Sequence, residues 1–329
     1  MKIISDSSLC PYFNLAAEQF FLDGTDDVFM IWRNERSVII GKNQNAFAQV
    51  NLDFIEKHGI KVVRRLTGGG AVFHDKGNIN YTFITDSEGE GIDFSRFTEP
   101  VCDALKNFGV DARLNGRNDL TAEDCKISGN AQCVYCTKDG RKRLLHHGTL
   151  LFSADISDMA GALKVSEDKL RSKGIKSVPS RVKNICNIEG YTGPTSPESF
   201  AAALLSYGEK RFLAQARELT EEEKQKIQAL SDEKYSKWDW NFGASPEYSH
   251  SVSKRFPYGT VSVSLNVKHG IINDFCIEGD FFGVRDVSSL SERLCGKRLV
   301  GEDILPELKD VAEYISGAAP EDIAELILR

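Results

Sequence analysis

The chain has 329 residues, 41% of them apolar and 27% charged, the balance of an ordinary folded protein and not of a disordered, collagen-like or coiled-coil chain. Forty-eight Asp and Glu outweigh 41 Lys and Arg, a net charge of −7, which argues against a surface built to wrap nucleic acid. No stretch approaches the roughly 18 apolar residues that span a bilayer. Asp6 also interrupts the start where a signal peptide needs an unbroken apolar run, so a cytoplasmic protein is expected.

Phe13, Ala16, Ala17, Phe20 and Phe21 recur at helical spacing and predict an amphipathic helix as the first element. Residues 28–33 and 37–41 are β-prone runs separated by Asn34-Glu35-Arg36, which reads as a hairpin. Ile79, Tyr81 and Phe83 alternate with Asn80 and Thr82, the pattern of a half-buried strand. Helices are predicted over 98–108 and over 196–212. Thr220 with Glu223 forms a capping box for a helix running to Leu230.

Residues 237–253 are rich in Gly, Pro, Ser and aromatics, and the domain junction is placed there. Beyond it Val261, Val263, Leu265 and Val267 alternate with polar residues, and His269-Gly270 turns into a second strand over 271–277. Ser289 with Glu292 predicts a capped helix that Gly296 stops. Residues 301–329 hold eight acids and two bases and read as two acidic amphipathic helices. The expected class is α+β: a large domain with mixed or antiparallel sheets flanked by helices, over 1–245, and a small α+β domain over 246–329.

The eight cysteines are at 10, 102, 125, 133, 136, 186, 276 and 295. Disulfides are not expected in a reducing compartment. Cys133 and Cys136 form a single CxxC; His146 and His147 could complete a zinc set, but scattered thiols explain the cysteines more simply.

The densest chemical signal runs from Arg64-Arg65-Leu66-Thr67 through Gly68-Gly69-Gly70 to Ala71-Val72-Phe73-His74-Asp75. Three glycines let backbone N–H groups approach a ligand, and two arginines upstream suit an anion. The spacing is neither that of a P-loop nor that of a Rossmann fingerprint. By itself the run fits a glycine-rich turn with solvated arginines about as well as a nucleotide site. Lys126 stands just ahead of Ser128-Gly129-Asn130 and could hold a carboxylate against an α-phosphate, although most lysines are ordinary surface groups. His146 and His147 point opposite ways if they lie on a strand, and for His146 a buried structural role is preferred. Residues 164–183 carry seven bases against two acids, which fits a loop closing on phosphates or a solvated face. Cys125 could serve as an acyl nucleophile, but no activating base stands at a fixed spacing from it.

Taken together these segments resemble the lipoate–protein ligase A family almost end to end. The likeness rests on DSSLCPYFNLAAEQFF (6–21), VIIGKNQN (38–45), the block 64–80, GRNDL (116–120), KISGNA (126–131), HHGTLLF (146–152), KSVPSRV (176–182) and WDWNFG (238–243). It implies a biotin/lipoate ligase-like fold and a two-step reaction. Lipoate is activated with ATP and Mg²⁺ to lipoyl-adenylate. The lipoyl group then passes to a lysine of an acceptor domain, in a 2-oxoacid dehydrogenase E2 subunit or a glycine cleavage H protein. By the same resemblance Arg65, Gly70, Ala71, Val72, Phe73, Lys126, Lys176 and Arg181 should contact the nucleotide. Thr67, His74, Asn78, Lys126, Gly129, His147 and Gly148 should line the lipoate pocket, Lys126 should be the catalytic group, and Asp119 is the candidate Mg²⁺ ligand. A monomer is expected. The alternative is an ATP-independent octanoyl- or lipoyl-transferase on the same fold, using a cysteine thioester; a non-catalytic lipoate-binding protein is a further rival.

Overall fold

The computed structural model describes residues 1–87, 89, 91–116, 118–163, 182–243, 250–268, 271–298 and 301–328. In chain order its first half runs β1 (Lys2–Ser5), α1 (Pro11–Leu22), β2 (Val28–Arg33), β3 (Ser37–Ile40), α2 (Ala46–Gln49), α3 (Leu52–Lys57), β4 (Lys61–Arg64), β5 (Val72–His74), β6 (Asn78–Asp86) and α4 (Ser95–Lys106). There follow β7 (Arg113–Asn115), β8 (Asp119–Ala122), β9 (Cys125–Cys136), β10 (Lys142–Leu151) and α5 (Ile156–Ala162), then α6 (Pro197–Phe212), β11 (Ala216–Glu218) and α7 (Glu221–Leu230). The last part holds β12 (His250–Phe256), β13 (Gly259–Lys268), β14 (Ile271–Gly279), α8 (Val287–Leu294), α9 (Gly301–Ile304) and α10 (Pro320–Leu328).

Among the described residues the strands form an eight-stranded sheet, β11-β1-β2-β6-β10-β9-β8-β7, and two three-stranded sheets, β4-β3-β5 and β12-β13-β14. The large sheet is parallel only where β1 meets β2 and β11; its other pairs are antiparallel. One face packs a core containing Phe83, Phe97, Leu105 and Phe200 beneath α4 and α6, and the other a core of Leu15, Phe21, Trp32 and Leu145 beneath α1 and α7. The class is α+β, as expected. Residues 256–327 supply a separate core around Val263, Phe281, Leu290 and Leu326. No described helix is long and apolar enough to cross a membrane.

Strand β1 and not the helix is the first element. Helix α1 has Pro11 in its first turn, where a missing N–H is harmless. It is buried around most of its circumference instead of on one face, because it packs between the sheet and α7. Thr220 and Glu223 make the reciprocal cap of α7, and Ser196 caps α6. Helix α4 begins at Ser95, ahead of the predicted 98, because Asp93 Oδ1 accepts the Ser95 N–H at 2.8 Å.

Other expectations are corrected. Residues 28–33 and 37–41 do not pair as a hairpin. Asn34 is fully buried and donates to His74 Nδ1 at 3.0 Å, which carries the chain from one sheet to the next. β3 therefore pairs with β4 and β5. Strand β6 is buried on both faces, not one, because helices cover each side of the sheet. Asp286, not Ser289, caps α8, accepting the Ser288 N–H at 3.0 Å. Only one regular helix of ordinary length closes the chain, since Pro306 falls where the other would continue and the backbone tightens into 3₁₀ turns. The turn at His269-Gly270 and the proposed junction at 245/246 lie outside the described residues.

Candidate active site

A cavity lies on the α1 side of the large sheet. Side chains alternate along a strand, so Asn80 and Thr82 on β6 share a face with His147 and Thr149 on β10. Trp32, Asn80 and Thr149 stand in one row across three strands. Gly129 of β9 continues the row, its N–H donating to Thr149 Oγ1 at 3.0 Å. Three interstrand steps separate Trp32 from Gly129, making a floor about 14 Å long. Leu15, Ile39 and Trp32 give one part of the wall an apolar character, while Lys126, Asn118 and Asn130 supply polar groups. This suits an amphiphile with an apolar chain and an anionic head.

Lys126 Nζ lies 2.8 Å from Asp119 Oδ1, with side-chain exposures of 23% and 14%. A β-carbon at Gly129 would come 2.8 Å from the same nitrogen, so the absent side chain leaves room for the ammonium. Val182 bridges to Lys126, and the Lys183 N–H donates to the Lys126 carbonyl at 3.0 Å. The chain at Val182 and Lys183 thus runs beside the Lys126 backbone. Lys176 and Arg181 lie outside the described residues.

Both arginines ahead of the glycines turn inward. Arg64 is 2% exposed and donates to the carbonyls of Gly41, Lys42, Gln44, Trp240 and Asn241. Arg65, 4% exposed, donates from Nε to Thr67 Oγ1 at 2.9 Å, from Nη1 to Ile39 O at 3.1 Å, and from Nη2 to Gly68 O at 2.5 Å and Gly70 O at 2.8 Å. Burial lowers both guanidinium pKa values to about 10, leaving them charged at neutral pH. In a trans peptide the N–H points away from the preceding carbonyl. Capture of the Gly68 and Gly70 carbonyls therefore turns the amides of Gly69 and Ala71 away from Arg65. The Gly69 amide donates to Phe281 O at 3.1 Å, from the C-terminal unit. Gly68 has no room for a β-carbon, which would come 2.4 Å from that carbonyl oxygen.

Gly70, Ala71, Val72 and His74 line the cavity with Arg65, Lys126, Gly129, His147 and Gly148. Phe73 does not: it alternates to the other side of β5 and packs with Val38 and Val62. Thr67 is fully buried beneath the wall, and Asn78 reaches the cavity only through Asn80, donating to Asn80 Oδ1 at 2.9 Å. At Gly148 a β-carbon would lie 2.4 Å from Tyr81 Cζ, so packing alone demands glycine there.

The two histidines diverge as their strand requires. His146 stacks on Phe97 at 5.0 Å in the opposite core, and burial drives its pKa well below the ordinary value. His147 faces the cavity, with Nδ1 2.8 Å from Glu18 Oε1 and Nε2 2.8 Å from Thr67 Oγ1. His74 has a pKa lowered to about 3, chiefly by burial and then by His147 and Arg65. Asn14 donates to Asn34 Oδ1 at 2.9 Å, and Asn34 donates to His74 Nδ1. The neutral ring therefore carries its proton on Nε2, which has no partner among the described residues.

Several site residues escaped the sequence reading: Glu18, Leu15, Trp32, Ile39, Asn80, Asn118, Asn130 and Thr149. Glu18 had a signal, because Leu15, Glu18 and Leu22 fall at i, i+3 and i+7 on the buried face of α1. Asn118 and Asn130 exchange side chain-to-carbonyl bonds of 2.6 and 3.1 Å across two strands, a pairing no local pattern announces. The CxxC pair sits on β9, where residues three apart face opposite sides, so the two sulfurs do not converge on one ion. Burial pushes the Cys133 thiol up to about 12. Cys125 is half-buried beside Lys126 but does not line the cavity.

Two family models match the chain. The lipoyl protein ligase A/B catalytic domain family matches residues 10–207, and the bacterial lipoate protein ligase C-terminus matches 245–327. Lipoate-protein ligase LplJ of Bacillus subtilis is 43% identical over 327 residues, covering 96% of each chain. Among solved structures, P. falciparum LipL1 in complex with lipoate superposes with a TM-score of 0.78 at 26% identity, covering 99% of both chains. A lipoate-protein ligase A bound with ATP gives a TM-score of 0.61 at 27% identity, over 74% of this chain and 98% of that one. The bipartite ligase of Thermoplasma acidophilum, solved in a study with its E2 lipoyl domain, gives 0.62 at 29% identity, over 76% of this chain and 98% of that one.

Proposed function

The chain belongs to the lipoyl protein ligase A/B family, and from that premise we propose that its cavity joins lipoate to ATP and passes the lipoyl group to a protein lysine. In the first step a lipoate carboxylate oxygen attacks the α-phosphorus, forming the acyl–phosphate bond and releasing pyrophosphate. In the second the ε-amine of a lysine on a lipoyl-acceptor domain attacks the acyl carbon, the amide forms, and AMP leaves. Activation is needed because a carboxylate repels nucleophiles, whereas AMP is a good leaving group.

The observation that carries this reading is the Lys126 ammonium, fixed over Gly129 at one end of a floor whose far end is Trp32. An acyl chain lying along the row with its tail toward Trp32 brings its carboxyl to that ammonium. There the positive charge offsets the repulsion between carboxylate and phosphate and stabilises charge in the transition state. Ala71, turned outward by Arg65, offers a backbone donor on the nucleotide side; we read Arg65 as shaping this turn, with the Ala71 amide meeting the phosphates. His147 and His74 belong to the wall along the chain, with Thr67 and Asn78 standing behind it. Lys176 and Arg181 are assigned to the adenylate-covering segment by the sequence resemblance.

No group of three or more metal-ligating side chains occurs among the described residues, and Asp119 already faces an ammonium. That donor set fits a Mg²⁺ carried by nucleotide phosphates and water, with Asp119 as at most one protein ligand. Such an ion would neutralise phosphate charge. We read 1–245 as the catalytic unit and 246–329 as its accessory unit. The enzyme is read as a cytoplasmic monomer, and its acceptors as lipoyl domains of 2-oxoacid dehydrogenase E2 subunits or glycine cleavage H protein.

The test is incubation with lipoate, ATP, Mg²⁺ and apo-acceptor domains, followed by mass spectrometry and a pyrophosphate assay. Lipoate-dependent pyrophosphate release and an acceptor heavier by one lipoyl group are expected. Acceptor modification without ATP, abolished by Cys125→Ser, would replace this reading with the transferase.

A further inference from the structure

Glu18 is a carboxylate 2% exposed in the middle of α1, and it touches neither end of the cavity. It terminates two chains of hydrogen bonds whose direction is fixed by their ends, because a tryptophan nitrogen can only donate and a carboxylate can only accept. Trp32 Nε1 donates to Thr82 Oγ1 at 2.8 Å, so the Thr82 hydroxyl proton goes on to Glu18 Oε1 at 2.6 Å. On the other side Glu18 can only accept, so the proton of the neutral His147 ring lies on Nδ1, which points at Glu18 Oε1 and Oε2 at 2.8 and 3.0 Å. Nε2 therefore takes the Thr67 hydroxyl proton at 2.8 Å, while Arg65 Nε donates to Thr67 Oγ1 at 2.9 Å.

The far end of the second chain is the glycine turn, since Arg65 also holds the carbonyls of Gly68 and Gly70. The buried positive charge of Arg65 thus has its counter-charge in Glu18, which favours the guanidinium's charged form. Removing the carboxylate removes the reason for His147 to keep this tautomer. Thr67 then loses its acceptor and Arg65 a fixed partner. The carbonyls that Arg65 captures are those that decide where the Gly69 and Ala71 amides point.

We propose that Glu18 is a positioning residue for the nucleotide-binding turn, acting through His147, Thr67 and Arg65. The proposal rests on the reading of that turn as the place where ATP is held. It makes the chain a unit: Glu18, His147 and Thr67 contribute to ATP binding together, not separately.

The experiment measures steady-state pyrophosphate release and calorimetric binding of a non-hydrolysable ATP analogue for wild type, Glu18→Gln, Thr67→Val, Thr67→Ser and the Glu18→Gln/Thr67→Val double variant. Glu18→Gln and Thr67→Val are each expected to raise the KM for ATP and the analogue Kd about tenfold, with the KM for lipoate changed less than threefold. Thr67→Ser, which keeps the hydroxyl, should stay within twofold of wild type. The double variant should be no worse than the weaker single, because both break one chain. An ATP KM within twofold of wild type in folded Glu18→Gln or in Thr67→Val, or additive losses in the double variant, overturns the proposal. If Glu18→Gln does not fold, Glu18→Asp, which keeps the charge but shortens its reach, takes its place in the same cycle with the same outcomes. Absence of adenylation in the wild-type protein would instead remove the ligase reading itself.

Discussion

Asp119 Oδ1 and Lys126 Nζ stand 2.8 Å apart on neighbouring strands, so the ammonium that is to meet two anionic substrates already faces one anion of its own. The pair holds the long lysine side chain in one place before a ligand arrives, reducing the freedom that must be lost on binding. A substrate carboxylate must then compete with Asp119 for it.

Lys126→Ala is expected to reduce lipoate-dependent pyrophosphate release by roughly 10²-fold or more, the scale of losing one preorganised electrostatic contact. The melting temperature should also fall, because Asp119, with its side chain 14% exposed, loses the ammonium at 2.8 Å. A drop below threefold would remove Lys126 from the chemistry.

Gly129→Ala tests placement and not charge. The new β-carbon would stand 2.8 Å from Nζ, the far end of a flexible chain, which can move aside. We expect a fold as stable as wild type and a rate lower by about tenfold or more, since small misplacements at a reacting centre are costly. Unchanged kinetics would show that the ammonium need not lie there.

Phe282→Ala addresses the contact between the two units. Phe282 is 2% exposed, packs on Phe94 with ring centroids 5.1 Å apart, and covers Gly69. Truncation should destabilise the protein by about 3 kcal/mol in urea unfolding. A change under 1 kcal/mol would mean that the two cores stand without this bridge.

His74 and His146 set a pH dependence. Burial depresses both pKa values below the ordinary 6.5, to about 3 for His74. The unfolded chain therefore binds protons that the folded one refuses as pH falls below 6.5. Stability is complete above that value and falls by about 1.4 kcal/mol per unit for each ring on the way down, for His74 until pH nears 3. His146→Phe should keep the stack on Phe97 and lessen the slope of unfolding free energy between pH 6 and 4 by about one proton. A slope equal to wild type would assign the acid sensitivity to other groups.

Much of this arrangement was legible in the sequence where the constraint is local. The apolar periodicity of α1, the cap at Thr220 and the alternation on β13 need only neighbours a few residues away. His146 and His147 could be sorted because a strand forces adjacent side chains apart. The glycine run and Lys126 stood out because backbone access and a fixed cation have few other uses. What could not be read were relationships set by distance in the chain. Asn34, 40 residues from its partner His74, separates two strands that look like a hairpin. Glu18 falls on a buried helical row, but its partner His147 stands 129 residues away. The inward hydrogen bonds of the arginines were not legible either, since a guanidinium that shapes a turn from within has the same letter as one that meets a phosphate.

An amide hydrogen can be given away only once. While the carbonyl of Phe281 takes the one on Gly69, the docked accessory unit and any oxygen arriving at that nitrogen are rivals for a single bond.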